Sequence, residues 1–279
     1  MSAPVVLSKS QTSTLKKMRQ YAGVEDLAID PVATMAILDA HYKTLDSTIT
    51  VLTVLKKIFP DVKLFAEESR KRSKESIAKR NTQVPSAKAK AKAVGWDDVQ
   101  IWRESHWEEL SEQEQLLLAL YTMRPPARAD YTPMKIVRRK PIALEAGFNY
   151  LVWVKKPYFI FHAYKTHKTY GDLTFVLPAN LKTVVGAWLE KRPTWNYLLQ
   201  DEAGVAWSAN RLSKGVQDIF KRHHDLETGI GALRHAYLTD YYHNLPSILT
   251  MQKVAREMMH SVTVSHQYIH LNDNVITHS

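Results

Sequence analysis

The hydrophobic period of the chain changes twice, and this constrains the fold more than any other property of the sequence. Up to Thr122 the apolar residues recur at helical spacing. From Asn149 they fall into three short runs, Asn149 to Val154, Tyr158 to Tyr164 and Asp172 to Leu177. These are rich in β-branched and aromatic residues and are separated by Lys155-Lys156-Pro157 and by a loop ending at Gly171. After Pro178 the helical pattern returns, over Leu181 to Glu190, Ser208 to His223, Ile230 to His243 and Leu249 to Met259. The expected fold is mainly α with one small antiparallel β-sheet of three strands, an α+β arrangement with helices before and after the sheet.

A chain of 279 residues has room for two domains with full cores. In the first third, Asp30-Pro31 reads as a helix start, with Ala33, Ile37, Ala40 and Tyr42 following at near-helical spacing. Ser47 to Phe59 carries an apolar stripe of Ile49, Leu52, Leu55 and Ile58, as suits a small helical bundle. Asn81 to Ser86, with Pro85, reads as a hinge. The expected division is an N-terminal helical domain over 1–84, a basic linker to about 95, and a second domain over 96–279. Within the second, Trp96, Trp102 and Trp107 read as a packing stripe. Ser111 and Glu114 form a capping box, and Arg124-Pro125-Pro126 ends the helix that it opens.

Lys and Arg number 38 against 28 Asp and Glu, a formal charge of +10, which favours a polyanionic partner. The longest apolar runs fall far short of the roughly 20 residues that span a bilayer, so no membrane partner is expected. With no cysteine, disulfides and thiolate chemistry are excluded. Met1 to Leu15 lacks a secretory pattern, so an intracellular setting is expected. The basic residues cluster from Arg70 to Lys92, where Glu75 is the one acid. A solvated helix face followed by a linker accounts for such a run without any partner. On a nucleic acid, the same residues would cross phosphates.

Four further patterns occur in order. A helix is followed by Pro125-Pro126-Ala127-Arg128-Ala129-Asp130-Tyr131, with Arg124 a competing arginine. Tyr164-Lys165-Thr166 sits at the end of a strand before a turn, with Lys168 an alternative lysine. Leu233-Arg234-His235-Ala236-Tyr237 lies on a helix. Met258-Met259-His260-Ser261 is followed by Gln267-Tyr268-Ile269-His270, with eight residues from histidine to tyrosine. Together these resemble the tyrosine recombinase (phage integrase) family over roughly Ser111 to Leu271. The four match its first arginine box, its β-hairpin lysine, its second arginine box and its Leu-Gly-His-Ser segment with the tyrosine beyond. The proline-containing first box is similar to that of recombinases from eukaryotic mobile elements and large DNA viruses. The family's usual His-x-x-Arg-His is incomplete, because Gly231 stands three residues before Arg234. His235 shares a helix face with position 231 and could cover part of that role.

The resemblance implies a helical core-binding domain and a catalytic domain that close as a C-shaped clamp on double-stranded DNA, and a homo-tetramer on paired sites. It implies a catalytic set of Arg128, Lys165, Arg234, His260 and Tyr268, supported by His235, and no cofactor or metal. Two arginines suit a phosphodiester because their planar, permanently charged forks match its non-bridging oxygens. A phenol, with an ordinary pKa of about 10, needs such a cationic field to attack. Attack by Tyr268 would give a 3′-phosphotyrosyl link, with Lys165 the family's general acid and His260 a donor to the phosphate. Phosphates would also meet Arg70, Arg72, Lys74, Lys79, Arg80, Lys88 and Lys90. Integration of a viral or mobile element is the expected role, in the nucleus if the host is eukaryotic. The same chemistry serves a topoisomerase or a telomere resolvase, and Gly231 is compatible with a DNA-binding protein that kept the fold and lost catalysis. His223-His224-Asp225 and the pair His266 and His270 have metal-ligand types but no zinc spacing.

Overall fold

The structure is a computed structural model and describes residues 5–82, 84–224, 227–243, 248–266 and 268. It divides into two compact units at Thr82 and Gln83, inside the stretch read as a hinge.

In the first unit the helices are α1 (Lys9–Ala22), α2 (Pro31–His41), α3 (Leu45–Ile58) and α4 (Lys63–Asn81). Local signals set their ends. Ser8 and Gln11 form a capping box at α1, which Gly23 ends in the left-handed region at φ 66. Asp30 accepts from Ala33 N at the start of α2, with Pro31 in the first turn, as the sequence indicates. The buried face of α2 is Thr34, Met35 and Leu38, while Ala33 and Ala40 of the expected stripe are exposed. The larger side chains take the core, and Thr34 reaches it by donating to the Leu27 carbonyl at 2.9 Å. Leu15, Met18, Leu52, Leu55 and Phe65 pack with them into one apolar cluster.

The second unit begins with α5 (Ala87–Lys90), α6 (Trp96–Ser105) and α7 (Glu112–Thr122). Ser111 and Glu114 make the capping box expected at α7, and the helix stops before the prolines. The strands are β1 (Met134–Val137), β2 (Asn149–Val152), β3 (Tyr158–Phe161) and β4 (Leu173–Val176), with the short α8 (His167–Tyr170) between the last two. β2, β3 and β4 form the expected antiparallel set. The sheet nevertheless has four strands and is mixed, because β1 joins its edge parallel to β2. β1 follows the proline segment closely and has no alternation of its own that would mark it. Its outer edge is closed by the backbone of Asn196 and Leu198.

Beyond the sheet run α9 (Ala179–Glu190), α10 (Ala209–His224), α11 (Ile230–His243), α12 (Ile248–Glu257) and α13 (Val262–His266). α7, fully buried from Leu116 to Thr122, is the centre of a core that also holds Trp102, Phe159, Phe161, Leu181, Trp188, Phe220 and Leu233. Tyr237 meets Trp96 edge-on at 5.0 Å, and Tyr242 packs with Leu238, Val254 and Met258. No described helix is long and apolar enough to cross a membrane.

Candidate active site

The end of α12 organises the site. His260 N donates to Ala255 O at 3.0 Å and Met259 N to Arg256 O at 2.9 Å, while Met259 sits at φ 57. This wrap ordinarily has glycine in the left-handed position, and a side chain there costs on the order of 1 kcal/mol. Met259 is fully buried in the core, which offsets that strain. The last carbonyls of the helix lack helical partners and carry the negative end of its dipole. Three arginines reach them: Arg124 Nη2 to Glu257 O at 3.5 Å, Arg234 Nη2 to Met258 O at 3.4 Å and Arg128 Nη1 to Met259 O at 3.2 Å. Thr166 Oγ1 also donates to Met259 O, at 2.7 Å.

The two arginines that competed for the first box have different surroundings. Arg124 is buried, donates to the Tyr131 hydroxyl at 2.6 Å and lies 5.1 Å from the centre of the Phe175 ring. Arg128 is only partly buried, with its carbonyl held by the Tyr121 hydroxyl at 3.0 Å. Arg234, 2% exposed, donates from Nη1 to Pro126 O at 2.6 Å and so ties α11 to the proline segment. Its burial lowers its pKa from the usual guanidinium value, and the Tyr268 phenol opposes this as a hydrogen-bonding and Coulombic partner. Its Nε is buried with no hydrogen-bond partner among the described residues. Asp130 stands near both Arg128 and Arg234: burial raises its carboxyl pKa, and the two guanidinium charges pull it down.

Tyr268 lies against this group. The Arg234 guanidinium is 5.1 Å from its ring centre, and the His260 ring stacks on it at 5.6 Å and 11°. His235 Nδ1 donates to the Tyr268 carbonyl at 2.6 Å and its ring lies 4.7 Å away. His235 therefore holds the backbone of Tyr268. Position 231 opens onto a cleft of about 680 Å³ that Trp96, His235 and Asp240 also line, and a Cβ there would meet nothing within 4 Å.

His260 is 3% exposed. Its Nδ1 lies 3.1 Å from Ser261 O and 3.2 Å from Ser265 Oγ, so Nδ1 is satisfied whether it donates to the carbonyl or accepts from the hydroxyl. In either tautomer Nε2 is buried and unpaired among the described residues. Burial, reinforced by Arg234 and Arg128, pushes the pKa of His260 down to about 3 from 6.5. The folded ring thus stays neutral where the unfolded one takes a proton. Its contribution to stability is complete above the unfolded pKa and is lost as pH falls through the window between the two values. From pH 7 to pH 5 the wild type is expected to lose about 2 kcal/mol more than His260→Gln in denaturant unfolding. Parallel losses would show that the ring is not held neutral.

Lys165 and Lys168 are both exposed. Lys165 is tied to the site through its neighbour Thr166, whereas Lys168 lies further along, in α8. Behind this turn is Asn149, 0% exposed. Its Nδ2 donates to Asp130 O at 2.7 Å and Ala163 O at 3.2 Å, and its Oδ1 accepts from His162 N and Ala163 N, both at 2.8 Å. One side chain thus joins the segment after Arg128 to the segment before Lys165. Asn149→Ala would leave all four backbone groups without these bonds and is expected to cost about 3–5 kcal/mol. A loss below about 1 kcal/mol in urea unfolding would show that the stitch is dispensable. Asn149, Thr166, Asp130 and Met259 were not singled out as site residues in the sequence. The one available signal was an asparagine opening a strand, a residue that strands disfavour.

Among the basic residues, Arg70, Lys74 and Lys79 are exposed on α4, and Lys90 is exposed on α5. Arg72 grips Asp39 with both terminal nitrogens, at 2.6 and 3.0 Å, and reaches Glu68 at 3.2 Å, so its fork is already engaged. Arg80 contacts Ser76 at 2.8 Å and Asp46 at 3.4 Å. Lys88 lies on α5. Of the histidines considered as ligands, His223 lies 3.3 Å from Glu114. Asp225, Gln267, Ile269 and His270 lie outside the described residues.

No protein-family model matches the sequence, and no curated protein matches it. Solved structures do match. The XerH site-specific recombinase bound to its difH substrate in a pre-cleavage complex is similar with a TM-score of 0.56 and 16% identity, over 94% of this chain and 73% of that one. The same recombinase in a post-cleavage complex with palindromic difH gives 0.56 and 16%, over 93% and 74%. The XerA recombinase gives 0.49 and 12%, over 95% and 88%. The likeness to XerH is one of fold, and the fold of this chain is that of the tyrosine recombinases.

Proposed function

We propose that this protein cuts and rejoins double-stranded DNA as a site-specific tyrosine recombinase, with Tyr268 as its nucleophile. The observation that carries this reading is the convergence of Arg128, Arg234, His260 and Tyr268, from separate stretches of sequence, around the end of α12. Buried polar atoms without partners are uncommon and costly, at about 1–3 kcal/mol each. Arg234 Nε and His260 Nε2 are two of them, on side chains that both meet the Tyr268 ring. A phosphate oxygen would supply the missing acceptor for each.

In this reaction Arg128 and Arg234 bind the non-bridging oxygens, whose charge grows in the transition state. His260 donates from Nε2 in the tautomer that leaves Nδ1 to accept from Ser265. The Tyr268 hydroxyl gives up its proton to solvent as its oxygen attacks phosphorus, the bond to the 5′-oxygen breaks, and Lys165 supplies the proton that the leaving oxygen needs. The 3′-phosphotyrosyl bond keeps the energy for rejoining. His235 positions Tyr268 through its carbonyl. The exposed cations of α4 and α5 add affinity that is blind to sequence and falls with salt. A homo-tetramer on paired sites and a role in integrating a viral or mobile element belong to the same proposal.

A second reading, a DNA-binding protein that has lost catalysis, is favoured by Gly231, where the family's histidine is absent. Duplexes from the DNA flanking its own coding sequence, nicked so that cleavage is irreversible, separate the two. The first reading expects a covalent protein–DNA band whose digest contains the Tyr268 peptide. Tight binding with no adduct would support the second.

A further inference from the structure

The connection between β3 and β4 carries a polar cluster apart from the arginine site. His162 Nδ1 and His167 Nε2 approach the same atom, Asp172 Oδ1, at 2.7 and 2.9 Å. One donor atom from each of the three residues lies within 4.8 Å of the others. The side chains are 22%, 36% and 47% exposed, so an ion from solvent can reach them. Their backbone is held: Asn149 Oδ1 accepts from His162 N, Tyr164 donates its hydroxyl to Gly171 O at 2.6 Å, and Gly171 N donates to His167 O at 2.7 Å. Gly171 sits at φ 63, a conformation that glycine takes without strain, and this turns the chain so that Asp172 faces the two rings.

We propose that His162, His167 and Asp172 form a binding site for a divalent transition ion of the zinc type, with water completing the coordination. Two imidazoles and one carboxylate are an established donor set for such ions. Tetrahedral bonds of about 2.0–2.1 Å set ligand atoms about 3.3 Å apart. For the ion to take the place of two N–H···O bonds, the two histidine–aspartate separations open by roughly half an ångström and the two ring nitrogens, within 4.8 Å of one another, draw together. Each neutral ring then carries its proton on the nitrogen that faces away from the ion, so the rings stay uncharged. Lys165 and Thr166 lie between the two histidines in sequence, so a bound ion clamps both ends of the turn that presents them. The site itself does not depend on the recombinase reading; its consequence for Lys165 does.

The test uses the full chain with any purification tag removed, cobalt(II) as a spectroscopic probe and zinc(II) for stability. Cobalt is expected to give a tetrahedral visible absorption that saturates at one equivalent. Zinc at a hundredfold excess over its dissociation constant is expected to raise the melting temperature by roughly 5–10 °C. His167→Gln and Asp172→Asn, both at exposed positions, should each weaken binding at least about tenfold. Because the chain has no cysteine, His167→Cys gives a positive signal: a sulfur-to-cobalt charge-transfer band would place the ion at this site. No cobalt spectrum and no zinc stabilisation in the wild type would overturn the proposal. So would cobalt binding that the first two variants leave unchanged, or that gives no sulfur band in the third.

Discussion

Tyr268→Phe is expected to form no covalent DNA adduct, a loss on the order of 10⁴-fold or more, while its fold and DNA affinity stay close to wild type. The ring would still stack on His260 and lie beneath Arg234, and its backbone would still bond to Ser265 and His235. Only the hydroxyl is lost. Loss of one hydroxyl costs about 1 kcal/mol, so the melting temperature should move by only a few degrees. An adduct that persists in Tyr268→Phe would show that the nucleophile is another residue. A variant that no longer folds would show that the phenol oxygen is structural.

Arg234 combines both roles, and its substitutions separate them. Its fork ties Pro126 O to Met258 O across α11, and its charge is the nearest cation to Tyr268 for which a ring contact is seen. Arg234→Ala removes the fork and leaves two buried carbonyls unpaired, and is expected to destabilise the chain by about 3–5 kcal/mol. Arg234→Lys keeps the charge but cannot span both carbonyls and Nε together. It is expected to lose about 10²–10³-fold in the rate of adduct formation, with a smaller loss of stability, about 1–2 kcal/mol. Single-turnover cleavage beside urea unfolding measures both. If the lysine variant cleaves at the wild-type rate, Arg234 is a structural tie and the phosphate clamp must be built from Arg128 and other groups.

The sequence made some features legible because they depend on neighbours within one turn. The capping box at Ser111, the Asp30-Pro31 start and the stop before Pro125 are read from three or four adjacent residues. β1 was not legible, because Met134 to Val137 is short, lacks alternation and becomes a strand only by pairing with β2 and with Asn196 and Leu198. In α2 a count of apolar spacing chose Ala33 and Ala40, whereas packing buried the larger Met35 and Leu38. The site divides in the same way. The arginines, His260 and Tyr268 stand out by residue type and order. Asn149 and Thr166 are ordinary polar residues whose roles arise from partners far along the chain, Thr166 from a carbonyl 93 positions away.

By itself, then, the sequence determined the helical first part, the sheet strands that follow Asn149, the basic run and the ordered residue types of the candidate site. These rest on local periodicity and on chemistry that few residues can supply. Only the tertiary structure decided that Arg124 is spent on Tyr131 while Arg128 reaches Met259, and that Arg72 closes on Asp39. It also decided that His235 holds Tyr268, and that His162, His167 and Asp172 meet. Those outcomes turn on hydrogen-bond partners and burial, quantities that exist only once distant segments are folded together.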